Sequence, residues 1–184
     1  MIRLSRIGHV NLSVADQERS KWFYSELLGF KVAEQDPDHG GVFMTLGDNF
    51  HTLDIGPNRD PASAQKPVRG QLGLVHIAFQ VARYEDLRDA YQTLLENGVE
   101  VTNATNHVNQ RSIYFRDPDG NGLEIYYEVP FALQLFPDGR EDLDEALPVT
   151  KKGEPLPAWL FEDWPGPELQ AKIAELSKQP VLSS

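Results

Sequence analysis

Five histidines stand in the 184-residue chain, at positions 9, 39, 51, 76 and 107. Two of them repeat. His9 stands in GHVNLSV and His76 in VHIAFQV, each just ahead of an alternating apolar run. Val10, Leu12 and Val14 in the first run, and Ile77, Phe79 and Val81 in the second, read as half-buried strands. Histidines at equivalent strand positions meet when two repeats pack about a pseudo-twofold axis. Glu124, in GNGLEIYYE, is the carboxylate that completes a site. Leu123 and Ile125 flank it, so its side chain points to the opposite face from theirs. Two imidazoles and a carboxylate on one face of a divalent ion leave positions open, as non-haem iron(II) chemistry requires. Taken singly, His51 and His107 read as loop or strand-end residues. Tyr114 reads as a core aromatic with its hydroxyl at a wet edge. His39, in DPDHGG, reads as a turn residue.

Composition narrows the chemistry. Seventeen Lys and Arg against 28 Asp and Glu leave a net charge of −11, which argues against a nucleic acid or an anionic membrane surface as partner. There is no cysteine, so disulfides, iron–sulfur clusters, thiolate zinc sites and cysteine nucleophiles are excluded together. Any metal is held by nitrogen and oxygen. The opening MIRLSRIGHV has no apolar run of signal-peptide length, and no stretch approaches the roughly 20 apolar residues of a membrane span. A cytoplasmic chain is expected.

The elements that must position these residues repeat as well. Residues 7–32 and 74–101 each read as a strand, a helix, a glycine and another strand. Asp16 is a plausible N-cap for a helix over about 17–28 that Gly29 ends. Trp22, Phe23, Leu27 and Phe30 are expected to face the core. The second helix is expected over about 85–96, with Leu87, Ala90, Tyr91, Leu94 and Leu95 inward, ended by Asn97-Gly98. Further strands are expected over 30–35, 41–46 and 50–55, then over 99–103, 111–116 and 123–128. Gly47-Asp48-Asn49 and Asp117-Pro118-Asp119-Gly120-Asn121 supply equivalent turns. The expected layout is a first βαβββ module over 1–56, a polar linker over 57–71, a second module over 72–128, and an extension over 129–184. The extension holds eight of the 13 prolines, so its composition sets it apart. One helix is expected there, over about 167–178. Its apolar residues, among them Phe131, Leu133, Trp159 and Trp164, predict that it packs on the domain or on a partner subunit.

The module pair, with SIYFRDPDGNGLEIY, resembles the vicinal oxygen chelate superfamily of glyoxalases, bleomycin- and fosfomycin-resistance proteins and extradiol dioxygenases. The resemblance covers about residues 5–128. It implies an α+β fold in which two βαβββ modules form one curved mixed sheet around a metal cavity. The subfamily it most resembles is the small type I extradiol catechol dioxygenases. That likeness implies His9, His76 and Glu124 as the metal ligands. Tyr114, ten positions before the glutamate, and His107, just ahead of it, match substrate-contacting residues of those enzymes. His51, ahead of Thr52-Leu53, matches their proton-handling histidine. Fe²⁺ is the implied ion, with Mn²⁺ as the alternative, and a catechol and O₂ are the implied substrates. An uncharged diol approaches an acidic protein without penalty. A homo-oligomer, dimer or larger, is implied by analogy with the family.

Two other classes share the fold. A glyoxalase-like lyase or isomerase uses a fourth protein ligand, usually Glu, on the last strand of the first module. In NFHTLDIG no Glu is present, and His51, Thr52 or Asp54 occupies the place. A ligand-sequestering protein of the drug-resistance kind typically lacks a complete triad, which His9, His76 and Glu124 supply here.

Overall fold

The computed structural model describes residues 1–47, 49–68, 70–140 and 143–178. The chain divides into two compact units, one of Met1–Gly73 with Asp117–Asn121, the other of Leu74–Arg116 with Gly122–Ser184. The α+β class and both βαβββ modules are present. The ladders run within each module, so the strands form two mixed sheets.

In the first unit, β1 (Val10–Val14) leads into α1 (Gln17–Trp22), and β2 (Lys31–Gln35), β3 (Val42–Thr45) and β4 (Leu53–Pro57) follow. The sheet order is β1-β4-β3-β2, with β1 parallel to β4 and the other pairs antiparallel. Alternation in β1 has the expected result: Leu12 and Val14 are buried, while Asn11 and Ser13 face out. Asp16 caps α1 by accepting from the Arg19 N–H at 3.0 Å. The helix loosens to a π-turn over Phe23–Leu27 before Gly29, whose φ of 81° reverses the chain. Trp22 was expected inward but is 49% exposed, and Tyr24 is fully buried in its stead. Tyr24 tolerates burial because its hydroxyl donates to Asp117 at 2.9 Å. Strand β4 starts later than expected, which leaves His51 just before it.

The turn Asp117–Asn121 is held tightly in the first unit. The Asp117 carboxylate accepts from the backbone N–H groups of Asp119 and Asn121, at 2.9 and 2.8 Å. Asp119 accepts from the Arg19 guanidinium at 2.8 Å and the Ser20 hydroxyl at 3.2 Å. Each carboxylate therefore ties the turn to itself or to α1.

In the second unit, β5 (Ile77–Gln80), α2 (Tyr84–Glu96), β6 (Asn103–Asn106), β7 (Gln110–Arg116) and β8 (Gly122–Glu128) complete the second module. The module's order is β5-β8-β7-β6, with β5 parallel to β8. Strand β6 begins four residues later than expected, because Val99 first bonds back to the Leu94 carbonyl at 2.8 Å to close the helix. Leu87, Tyr91, Leu94 and Leu95 of α2 are buried, as are Ile113, Phe115, Leu123 and Ile125 on one face of the sheet. Each such side chain contributes about 1.5–3 kcal/mol. The other face carries His76, Gln110, Ser112, Tyr114 and Glu124.

The extension adds elements that sequence periodicity did not reveal: α3 (Ala132–Leu135), β9 (Glu145–Leu147) on the edge of β6, and a 3₁₀ turn over Ala158–Phe161. The helix expected near 167 is α4 (Pro167–Leu176). Trp159 and Leu160 are buried, and Arg111 reaches from β7 to the Trp159 carbonyl at 2.9 Å.

Candidate metal centre

Two groups of titratable side chains form, one in each unit. In the second unit, His76 precedes β5 and Glu124 sits at mid-β8, where it pairs across the ladder with Ala78 on one side and Tyr114 on the other. The parallel ladder brings His76 Nε2 to 2.9 Å from Glu124 Oε2. Glu124 is 4% exposed and also accepts from the Gln110 amide at 3.3 Å. Gly122 makes the approach possible: a Cβ there would lie 2.2 Å from the Val75 carbonyl oxygen, one residue before His76.

Tyr114 lies beside this pair, its ring 5.6 Å from the His76 ring. Burial, with the Glu124 charge next in importance, pushes its phenol up to about 12. It is therefore a hydrogen-bonding phenol at neutral pH. His107 Nε2 is 2.9 Å from the Tyr114 hydroxyl, and His107 Nδ1 is 2.7 Å from Asp144. The Arg140 guanidinium also lies 3.3 Å from Nδ1. Two donors cannot share that nitrogen, and the shorter contact to the carboxylate decides: Nδ1–H donates to Asp144 and Nε2 accepts from Tyr114. Arg140, bonded to Asp144 itself, and His107 together hold the Asp144 carboxyl below its usual range. Asp144 and Arg140 escaped the sequence reading because both belong to the extension, and no motif or spacing ties them to His107. His76, His107, Gln110, Tyr114, Glu124 and Arg140 line a small pocket of about 260 Å³.

In the first unit, His9, His51 and Asp54 gather with ligand-capable atoms within 4.8 Å of one another. His51 Nδ1 lies 2.5 Å from Asp54 Oδ1, and His9 Nε2 lies 3.6 Å from Asp54 Oδ2. The His9 and His51 rings stack at 4.6 Å, and Phe43 and Phe50 meet His51 edge-on. Among His51, Thr52 and Asp54, the β1–β4 ladder selects Asp54 as the counterpart of Glu124. Asp54 pairs with Asn11 as Glu124 pairs with Ala78. His39 is an exposed turn residue bonded to Asp36 at 3.0 Å.

Of the residues singled out from sequence, His76, His107, Tyr114 and Glu124 thus stand together in the second unit. His9 and His51 stand together in the first. The donors are imidazole nitrogens and carboxylate oxygens, a set that suits Fe²⁺, Mn²⁺ or Zn²⁺.

A fold of two βαβββ modules, each with a histidine beside a buried carboxylate, defines a class, and comparison with known proteins agrees. Residues 6–125 match the family model described as Glyoxalase/Bleomycin resistance protein/Dioxygenase superfamily, and the chain belongs to that family. It is similar to catechol-2,3-dioxygenase of Bacillus subtilis, 30% identical over 133 residues that make up 68% of this chain and 42% of that protein. It is also similar to glutathione transferase FosA of Serratia marcescens, 32% identical over 123 residues, 67% of this chain and 81% of that one. The structure of a glyoxalase/dioxygenase from Nostoc punctiforme superposes with a TM-score of 0.57 at 22% identity, over 67% of this chain and 91% of that chain. No helix among the described residues is long and apolar enough to cross a membrane.

Proposed function

We propose that this chain is an extradiol dioxygenase that opens a catechol-type ring, with His9, His76 and Glu124 as ligands of an Fe²⁺ ion. Mn²⁺ is the alternative ion. The observation that carries this reading is the second-unit pocket, where a phenol and a carboxylate-braced histidine stand beside His76 and the buried Glu124. A ligand-sequestering pocket has no need of such a chain of hydrogen bonds.

The donor set fits such an ion, since the Glu124 carboxylate is buried and the His76 imidazole stands 2.9 Å from it. When bound, the ion supplies Lewis acidity and one-electron chemistry. The protein's own residues do the rest. Tyr114 donates to His107 and offers its oxygen lone pairs to a diol hydroxyl, which orients the ring. Asp144 fixes the His107 tautomer, so that nitrogen Nε2 faces the phenol and is ready to accept a proton. His51, braced through Nδ1 by Asp54, keeps Nε2 as its exchangeable nitrogen and serves as the acid–base group. The similarity to catechol-2,3-dioxygenase supports this assignment.

A second reading rests on Asp54. Its ladder position is the one from which a fourth carboxylate ligand acts in a glyoxalase-like lyase or isomerase. One experiment separates the two. Protein purified without oxygen is loaded with Fe²⁺ and given catechol and 2,3-dihydroxybiphenyl. A yellow ring-fission product with matching oxygen uptake is expected. No product, with hemithioacetal isomerisation on Ni²⁺ or Zn²⁺, overturns the dioxygenase reading in favour of the second.

A further inference from the structure

We infer that the first unit holds a divalent transition-metal ion of its own, through His9, His51 and Asp54, and that an ion seated there inhibits the chain. The binding stands on the first unit alone. The inhibition rests on the dioxygenase reading.

The β1–β4 ladder brings the three side chains together. Asn11 pairs with Asp54, and His9 stands two residues before Asn11, on the same side of β1. Asp54 lies between the buried Leu53 and Ile55, so it points away from the core that they fill. His51 reaches it from the approach to β4. One ligand-capable atom from each residue lies within 4.8 Å of the others. Donors held about 2.0–2.2 Å from Zn²⁺ stand about 3.4 Å apart in a tetrahedron, so no pair has to close by more than about 1.4 Å.

Each oxygen of the Asp54 carboxylate faces one imidazole. Oδ1 meets His51 Nδ1 at 2.5 Å, but Oδ2 lies 3.6 Å from His9 Nε2, too long for a hydrogen bond. A carboxylate that is 3% exposed is therefore bonded to one histidine and only approached by the other. An ion between them engages all three. It takes the place of the proton on His51 Nδ1, which moves to Nε2 of the same ring. Phe43, which pairs with Asp54 across the β3–β4 ladder, and Phe50 meet the His51 ring edge-on. The His9 and His51 side chains are 47% and 27% exposed, so water fills the remaining positions and the ion exchanges with solution.

Two imidazoles and one carboxylate suit Zn²⁺, Co²⁺ or Ni²⁺ and not Mg²⁺ or Ca²⁺. The proposed catalytic centre draws on His76 and Glu124, whereas this site has all its donors in one module. The two share His9. An ion seated here takes His9 from the catalytic ion and leaves His51 Nε2 protonated, where it can no longer accept a proton. Either loss stops turnover.

The test uses the full chain carrying His76→Ala and Glu124→Gln, which removes the second-unit donors, with Co²⁺ as the probe. Its visible absorption is expected to saturate at one equivalent per chain. Adding Asp54→Asn is expected to weaken that binding at least about tenfold. Where the paired substitutions unfold the chain, Glu124→Gln alone is expected to show the same dependence on Asp54. In ¹⁵N spectra, Zn²⁺ is expected to shift the ring nitrogens of His9 and His51 and to leave those of His39 in place. In the iron-loaded parent, Zn²⁺ is expected to inhibit turnover of catechol, and Asp54→Asn is expected to need at least about tenfold more of it for the same fractional loss. Co²⁺ absorption that Asp54→Asn leaves unchanged, or ring shifts confined to other histidines, overturns the site. Equal inhibition of parent and Asp54→Asn overturns the inhibitory role, since Zn²⁺ then acts at the catalytic centre. If Co²⁺ binding depends on Asp54 but no diol is turned over, the dioxygenase reading fails and the first-unit site remains.

Discussion

Asp54 and Glu124 hold the same ladder position in their two modules. Asp54 pairs with Asn11 and Glu124 with Ala78, each across a parallel ladder and each partner two residues beyond a histidine. Both carboxylates are buried, at 3% and 4% exposure, and each meets the histidine of its own module. What repeats is therefore a His–carboxylate pair. The pairs differ in their neighbours: Tyr114 and His107 stand by Glu124, whereas His51 occupies Asp54.

That difference predicts unequal effects of neutralising the two carboxylates. Glu124→Gln is expected to release the ion on gel filtration, as are His9→Ala and His76→Ala. Asp54→Asn is expected to retain it and to lose about 10–100-fold in turnover, because His51 is no longer oriented. Metal content by plasma mass spectrometry, beside steady-state rates, checks both. If Asp54→Asn strips the ion as fully as Glu124→Gln, Asp54 is a ligand and the lyase or isomerase reading takes its place.

The sequence showed this pattern only in part, for physical reasons. Period-two alternation around Val10 and Ile77, and the glycines after each helix, are local signals, so both modules were legible. The helix face was less so: a π-turn after Trp22 and a buried hydrogen bond at Tyr24 exchanged the two aromatics. Asp54 was one of three alternatives because a shift of one residue reverses the facing of a strand, and only the ladder fixes it. Asp144 and Arg140 reach His107 through the fold of the extension, which carries no periodic signal.

Gly122 is expected to resist every substitution. A methyl group at that position meets the Val75 carbonyl at 2.2 Å, and backbone cannot yield as a flexible side chain does. Gly122→Ala should therefore push β5 from β8, cost about 1–3 kcal/mol as overpacking does, and weaken metal retention through His76. Urea unfolding and metal content on the same preparation check this. Unchanged stability would show that β5 shifts without penalty.

Alkaline pH is expected to act through Tyr24. Burial, then the Asp117 charge, holds its phenol well above the usual tyrosine range. The unfolded phenol ionises near pH 10, so Tyr24 contributes its full share of stability below about pH 10 and loses it as the pH rises further. The urea midpoint of the parent should fall above about pH 10 more steeply than that of Tyr24→Phe. At neutral pH the variant should be less stable by about 1–3 kcal/mol, because Asp117 loses a buried donor. Other tyrosines also shift, so the difference between parent and variant is the quantity to follow. Parallel pH curves would sink the assignment.

Arg111 is expected to be the residue that fastens the extension. Its side chain is 7% exposed, donates to the Tyr84 hydroxyl at 2.7 Å and the Trp159 carbonyl at 2.9 Å, and pairs with Glu162 at 2.8 Å. Its charge lies 5.2 Å from the Trp164 ring and 5.7 Å from that of Trp159. Arg111→Met keeps the apolar stem and removes the donors. The Trp159 carbonyl retains the Tyr84 hydroxyl at 2.8 Å, so it is not left bare. The loss is then that of charged hydrogen bonds and cation–π contact, partly offset because no charge has to be buried, and about 1–3 kcal/mol is expected. Arg111→Lys should not restore it, since one ammonium cannot reproduce the forked geometry. Brief trypsin treatment should cut both variants faster than the parent after Lys151 and Lys152, which lie in the segment that Trp159 anchors through the Pro148 carbonyl. Equal cleavage rates with equal stability would mean that the apolar contacts of Trp159 and Leu160 hold the extension without Arg111.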